Sequence, residues 1–293
     1  MKILYLTDTH LKEKNPVSRI DNYLDSLMLK LIEVAEIATE LSVDYIIHGG
    51  DFFDQAHQSV YLLNRVLEFF DKIPKRLLPI HVVLGNHEWR GRWEDWREKS
   101  ALKTLMEMNL IILHEGYLLI PVNGMKVHSR HEQFVRKPVM WPHHLWTDYE
   151  GPGDIFLVSD YHPGQGYHVI KTRGGKRVHF VAPGAIARIG RSSEDICKVP
   201  SVAIIEISKR GEVDAYFRAL QSAKPAEDVI SVPEKASQKD VVRQQRLDDA
   251  VSALKSLSKE MGAFRIEDVV RTLAKNSTYS EIEVELCLKR LRR

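Results

Sequence analysis

Apolar residues in the first third of the chain follow two alternating patterns. Short apolar runs at "KILYLT" (2–7), "VDYIIHG" (43–49) and "PIHVVLG" (79–85) have the length and composition of buried strands. Between them, "DNYLDSLMLKLIEVAEIATEL" (21–41) and "SVYLLNRVLEFFDKI" (59–73) repeat apolar residues at three- and four-residue steps, which predicts helices with one face on a core. Strands and helices in this order build βαβ units.

After about Asn109 the pattern changes to closely spaced strands with glycine turns: "LIILHEG", "YLLIPV", "MKVHS", "DIFLVS", "YHVIKTRGGKRVHFVA", "SVAIIEIS" and "EVDAYFRAL". The pair flanking "TRGGK" predicts a hairpin. An α/β half followed by a mostly β half implies two packed sheets with helices outside. Residues 222–239 are polar and proline-punctuated, and are expected to link a domain at 1–221 to a smaller one at 240–293. That second domain reads as three helices, with Leu247, Val251, Leu254 and Leu257 on one face of the first and Ile282, Leu286 and Leu288 recurring on the last.

Composition narrows the class. A chain of 293 residues, 44% hydrophobic, can bury one large core and an appendage. With 42 basic and 40 acidic residues, bulk charge announces no nucleic-acid binder, so such binding has to come from local patches. Cys197 and Cys287 are isolated, which argues against a disulfide framework or a thiolate metal site and for a reducing compartment. The chain opens directly in a strand pattern and holds no run of 18 apolar residues, so the expectation is a cytoplasmic protein with no membrane segment.

Chemistry gathers at the strand ends. Asp8 and His10 follow the first strand as D-x-H, Asp51 follows the second, and Asn86 and His87 follow the third as G-N-H. Carboxyl ends of parallel strands form one rim, where α/β sheets place ligand sites, so these groups should converge. "VHS" adds His128, and "FLVSDYH" adds Asp160 and His162. Oxygen and imidazole donors without thiolate suit manganese, magnesium, iron or zinc, and a shared carboxylate would bridge two ions. Each piece alone is commonly an ordinary turn; the ordered set points to a dinuclear centre.

"TDTH", "HGGDFFD" and "LGNHE" resemble the first three blocks of the calcineurin-like metallophosphoesterases, and "GGDFFD" with "PGAIAR" resembles their DNA-repair nuclease branch of the SbcD type, in its short phage and bacterial form. The resemblance covers residue 1 to about 218. It implies a four-layer α-β-β-α sandwich with a small helical C-terminal domain. It also implies one metal on Asp8, His10 and His162, a second on Asn86 and His128, and Asp51 bridging. His87 would be the histidine that protonates the leaving alkoxide or stabilises the pentavalent phosphate, with Asp54 holding its ring. Two divalent cations are implied, manganese first, with magnesium, iron or zinc as alternatives. The implied partners are DNA, an SMC-like ATPase at the C-terminal helices, and a second copy of the chain, in a bacterial cell or a phage-infected host.

The chain departs from that pattern where the family has Gly-His, placing Ser159 and Asp160 instead. A carboxylate remains a ligand for hard cations, which shifts the expected metal toward manganese or magnesium and leaves the centre less electrophilic. Beside the site, "HEWRGRWEDWREK" offers Arg90, Arg92 and Trp93 for stacking on bases and pairing with phosphates. The same composition also suits a packed lid with its arginines paired to acidic neighbours. Arg188 of "AIARIGR" is a further candidate phosphate contact. The C-terminal segment resembles a helix-turn-helix, but Glu281, Glu283 and Glu285 at the start of its last helix favour protein docking over DNA. The expected activity is metal-dependent DNA cleavage. The rivals are a phosphoesterase acting on small diesters or phosphoproteins, and a scaffold impaired by Asp160.

Overall fold

The structure, a computed structural model, describes residues 1–89, 97–137 and 143–231, apart from the side chains of 193 and 194. Arg90, Arg92, Trp93 and the expected helical domain at 240–293 lie outside the described residues.

Alternation along β1 (Lys2–Leu6) sets the layering: Leu4 and Leu6 face a core under helices, while Ile3 and Tyr5 face a core between two sheets. Strands β2 (Tyr45–His48), β3 (Ile80–Val83) and β4 (Ile111–His114) run parallel beside β1. On its other side β11 (Ser201–Ile207) and β12 (Val213–Ala219) add antiparallel strands, for the order β12-β11-β1-β2-β3-β4. Helices α1 (Tyr23–Glu40), α2 (Val60–Lys72) and α3 (Ala101–Glu107) supply Leu27, Leu31, Val66, Phe69 and Leu102 to the outer core. Side chains cap the first two helices, with Asn22 accepting from the Asp25 N–H and Ser59 from the Leu62 N–H.

The second sheet runs β5 (Leu118–Val122), β6 (Met125–Val135), β8 (Ile155–Ser159), β10 (Arg177–Ala182) and β9 (Gly166–Lys171), with the short β7 (His144–Leu145) beside the end of β6. The hairpin expected around "TRGGK" joins β9 to β10, pairing Lys171 with Arg177. Val127, Ile155, Leu157 and Val181 of this sheet meet Ile3, Tyr5, Ile47 and Val83 of the first.

The two sheets and one helical layer match expectation, but the fourth layer differs. Among the described residues, the outer face of the second sheet is covered by an aromatic cluster with a single 3-10 turn, Trp146–Asp148, in place of an α-helix: Phe134, Phe156 and Phe180 lie beneath Trp146 and Tyr149 from the segment after β7. Trp146 stacks on Phe180 with ring centroids 4.9 Å apart. A Trp and a Tyr carry enough apolar area to cover a short sheet face without a helix.

Past residue 221 the described chain stays ordered. Residues 222–231, expected as linker, are fastened to the folded unit Met1–Val232. The Ser222 N–H and hydroxyl donate to Glu33 of α1, Ala226, Val229 and Ile230 are buried, and the Ser231 N–H donates to the Ser18 carbonyl. The prolines and charges that read as linker mark an ordered cover strip whose apolar residues are too sparse to show a period.

Candidate metal centre

The turns after β1, β2 and β3 lie on one rim and the turn after β8 meets them from the second sheet. Asp8, His10, Asp51 and Asp160 all hold left-handed backbone, at φ of 53, 44, 51 and 62°. Such conformations cost of order 1–3 kcal/mol each for residues with side chains. Backbone bonds over-determine them: the Asp8 N–H donates to the Gly50 carbonyl and the His10 N–H to the Asp51 carbonyl. Tyr23 of α1 donates its hydroxyl to the Thr9 and His10 carbonyls. Glu88, fully buried, accepts the Phe53 N–H at 2.7 Å and the Gly85 N–H at 3.0 Å, tying the second turn to the third. Burial and the charge of Asp51 push the Glu88 carboxyl up to about 8, against the pull of those two bonds.

Three sets of donor atoms converge: Asp8, His10 and His162; His10, Asp51 and His87; and Asp8, Asp51, His131 and Asp160. His10 and His162 bring their Nε2 atoms to 3.1 Å, and His162 Nε2 lies 3.8 Å from Asp8 Oδ1. Asp51 Oδ2 lies 3.7 Å from His10 Nε2 and 3.3 Å from His131 Nε2, so it sits between the two halves as a bridging carboxylate would.

His131 corrects the place given to His128. Along β6, Val127 faces the other sheet, so His128 points outward. There it touches Tyr117, Tyr149 and Phe156, and its Nδ1 shares a 2.6 Å hydrogen bond with the Tyr149 hydroxyl. His131 shares the inward parity of Val127 and Ser129, and its register passes a bulge that carries it to the rim. Its Nδ1 lies 2.9 Å from the Gly49 carbonyl, which makes Nδ1 the donor and leaves Nε2 aimed at Asp8, Asp51 and Asp160. A ring fixed through its far nitrogen by a carbonyl is the usual arrangement of a metal-ligating histidine. Strand alternation was the available signal in the sequence for setting His128 aside, since inward Val127 turns its neighbour outward; the choice of His131 also needs the bulge.

The other expected residues divide. Asp8, His10, Asp51, Asp160 and His162 are in the cluster. Asn86 is exposed at the rim beside His87, whose backbone N–H donates to Asp51 Oδ1 at 2.9 Å. The His87 ring meets Asp54, with Nδ1 3.1 Å from the Asp54 backbone carbonyl and 3.6 Å from its carboxylate, so the hydrogen-bonded partner is the backbone. That carboxylate also pairs with Lys12 at 3.3 Å. Arg188 is not at the site: its guanidinium is buried and donates to the Lys224 and Lys198 carbonyls.

The donor set fits divalent cations. Asp8 Oδ1 and His131 Nε2 are buried without a hydrogen-bond partner, as atoms reserved for a cation are. Burial works against charge on His131, but Asp51, Asp8 and Asp160 outweigh it and raise its pKa to about 10. Burial raises Asp160, an effect that His131 partly offsets and Asp8 and Asp51 reinforce. Asp51 stays ionised despite burial because His131, His10 and the His87 N–H favour its anion. Carboxylates and imidazoles suit hard or borderline ions.

The profile of a family described as calcineurin-like phosphoesterase matches residues 1–219. Curated relatives described as DNA double-strand break repair protein Mre11 include one from Methanocaldococcus jannaschii, 28% identical over 43% of this chain and 33% of its own length. Another, from Sulfolobus acidocaldarius, is 23% identical over 72% of this chain and 59% of its own. The chain therefore spans about a third to three fifths of these relatives. Similar solved structures include a predicted phosphoesterase from Streptococcus pneumoniae, at 14% identity and TM-score 0.34, covering 74% of this chain and 97% of that one. Vps29 from Entamoeba histolytica, complexed with zinc, is 13% identical at TM-score 0.35, covering 75% and 100%.

Proposed function

The chain belongs to the calcineurin-like phosphoesterase family, and from that premise we propose that it hydrolyses phosphodiesters with two divalent cations. The observation that supports this most is the convergence of Asp8, Asp51 and Asp160 with His10, His131 and His162 around orphaned buried atoms. His10 and His162 with Asp8 would hold one ion, His131 and Asp160 the other, and Asp51 would join them; Asn86 at the rim is the remaining candidate donor. Bound there, the ions supply Lewis acidity to the phosphate and lower the pKa of water.

The protein's own groups do the rest. Water oxygen bonds to phosphorus, the bond to the leaving oxygen breaks, and a proton must reach that oxygen. His87 would give it, a reading supported by the Asp54 carbonyl at its Nδ1 and by its Nε2 facing the cluster 3.9 Å from Asp51 Oδ2. At 31% exposure the ring remains open to substrate. Asp160 lowers the positive charge of the centre and favours manganese or magnesium over zinc.

DNA ends are the narrower substrate we favour, because the curated relatives carry the description of double-strand break repair. An SMC-like ATPase would then be the partner, docked on residues 240–293. A chromogenic diester and a labelled duplex with single-stranded ends, each incubated with manganese, test both levels. Cleavage of both by the protein, lost about 10²–10⁴-fold in His87→Ala with metal uptake unchanged, is the expected result. Cleavage of the diester alone would keep the phosphoesterase and remove DNA. Cleavage of neither, with restoration by Asp160→His, would make this chain a binding scaffold.

A further inference from the structure

Beneath the centre lies a group of buried cations that the hydrolytic chemistry does not use. Segment 185–189, "AIARI", runs between the Asp8 and His162 turns after β10. On one side the Ala185 N–H donates to the His162 carbonyl, the Ile186 N–H to Thr7 and the Ala187 N–H to Asp8. On the other, four consecutive carbonyls each receive a side chain. Lys30 Nζ donates to Ile186 at 3.2 Å, Lys198 Nζ to Ala187 at 2.7 Å, Arg19 Nη1 to Arg188 at 2.9 Å, and the Ser18 hydroxyl to Ile189.

We infer that Lys30, Lys198 and Arg19 are positioning residues for the candidate metal centre, a clasp that fixes the spacing of the Asp8 and His162 turns through segment 185–189. This rests on the centre proposed above. The link is direct at one peptide: its Ile186 carbonyl receives Lys30 while its Ala187 N–H holds the Asp8 carbonyl. A cation on the carbonyl polarises the peptide and strengthens the N–H bond on its far side. Among the described residues no carboxylate is hydrogen-bonded to Lys30, although it is 3% exposed. Its neighbours Arg19 and Lys198 are paired with Asp21 and Asp195. Burial and the cations Arg19, Arg188 and Lys198 lower its pKa to about 7, so holding a lysine here is costly where an apolar residue would pack freely. The 162–164 turn and the 183–184 backbone also approach closely, since a Cβ at Gly184 would lie 2.5 Å from the His162 carbonyl and one at Gly164 would lie 2.6 Å from that of Pro183. The clasp acts beside a direct bond between the turns, from the Asp160 N–H to Asp8 Oδ2 at 3.2 Å.

The test compares Lys30→Met, Lys30→Gln and, as a control, Arg76→Met in the full chain. Arg76 caps the Val43 carbonyl at the opposite ends of the strands, so its loss lowers stability without touching the clasp. Manganese affinity is read from the loss of the free-ion paramagnetic signal, and protection of 183–189 from hydrogen exchange is read in metal-free protein. The expected result is an affinity loss of about tenfold or more in Lys30→Met, partial rescue in Lys30→Gln, and exchange that rises in 183–189 for Lys30→Met alone. Affinity unchanged in Lys30→Met, or lowered equally by Arg76→Met, overturns the clasp. If Lys30→Met does not fold, Lys198→Gln carries the same comparison on the adjacent carbonyl. Failure of the wild-type protein to take up manganese would sink the centre itself, while the exchange arm would still decide whether the cations hold the segment.

Discussion

On β6 the ring of His131 is pinned to the Gly49 carbonyl while its other nitrogen faces three carboxylates; His128, three residues earlier, is spent on Tyr149 in an aromatic cluster. The two histidines should therefore part company on substitution. His131→Ala is expected to reduce manganese stoichiometry from two to one by calorimetry and to leave folding intact. His128→Ala is expected to keep both ions and lower the denaturation midpoint, because the Tyr149 hydroxyl keeps the Gly153 N–H but loses its other partner, at a cost of about 0.5–1.5 kcal/mol. The reverse pattern would restore His128 to the centre. Lys30 offers a pH signature at the same scale. Its folded pKa of about 7 lies below its ordinary 10.5, so between those values the unfolded chain holds the extra proton and stability rises with pH. Below pH 7 the cost of burying the charge is fully present. Urea midpoints for the wild-type protein should thus climb relative to Lys30→Met from about pH 7 to 10; parallel curves would mean that Lys30 is not the group responsible.

Elements bring these residues together, and their ends were more legible in the sequence than their faces. D-x-H after β1, Asp51 after β2 and G-N-H after β3 needed only the rule that parallel strands end on one rim. The second sheet was harder, because its ligand depends on parity and on a bulge between Ser129 and Gln133 that no composition announces. The Gly49-Gly50 pair reads as a turn, yet the structure gives it a second task as the seat for His131. A Cβ on Gly50 would lie 2.3 Å from His131 Nδ1, and its φ of +115° is closed to residues with side chains. Gly50→Ala is accordingly expected to cost about 1–3 kcal/mol in backbone strain and to displace the ring, so that the second manganese is lost along with diester hydrolysis. Retention of two ions at wild-type affinity would show that the ring finds another seat.

At the scale of the molecule, residues 222–231 were the hardest stretch of the described chain to read. Residues 222–231 look like linker because their apolar residues are few; they fold because each finds a place. Val229 and Ile230 fill the seam beside Arg19, Ser222 satisfies Glu33, and the Lys224 carbonyl accepts from Arg188, which is why that arginine is occupied away from the phosphate site. The strip also covers Ser18 and Arg19, two of the four donors to segment 185–189. Shortening the chain should therefore give an abrupt rather than a graded response. A chain ending at Ser231 is expected to take up two manganese ions and to hydrolyse a chromogenic diester at the full-length rate. One ending at Gln221 is expected to lose several kcal/mol, at about 1.5–3 for each of the Val229 and Ile230 side chains, and to bind manganese more weakly because Arg19 is left uncovered. Equal midpoints for the two would return 222–231 to the role of linker, and loss of hydrolysis in the chain ending at Ser231 would put the C-terminal residues in the catalytic unit.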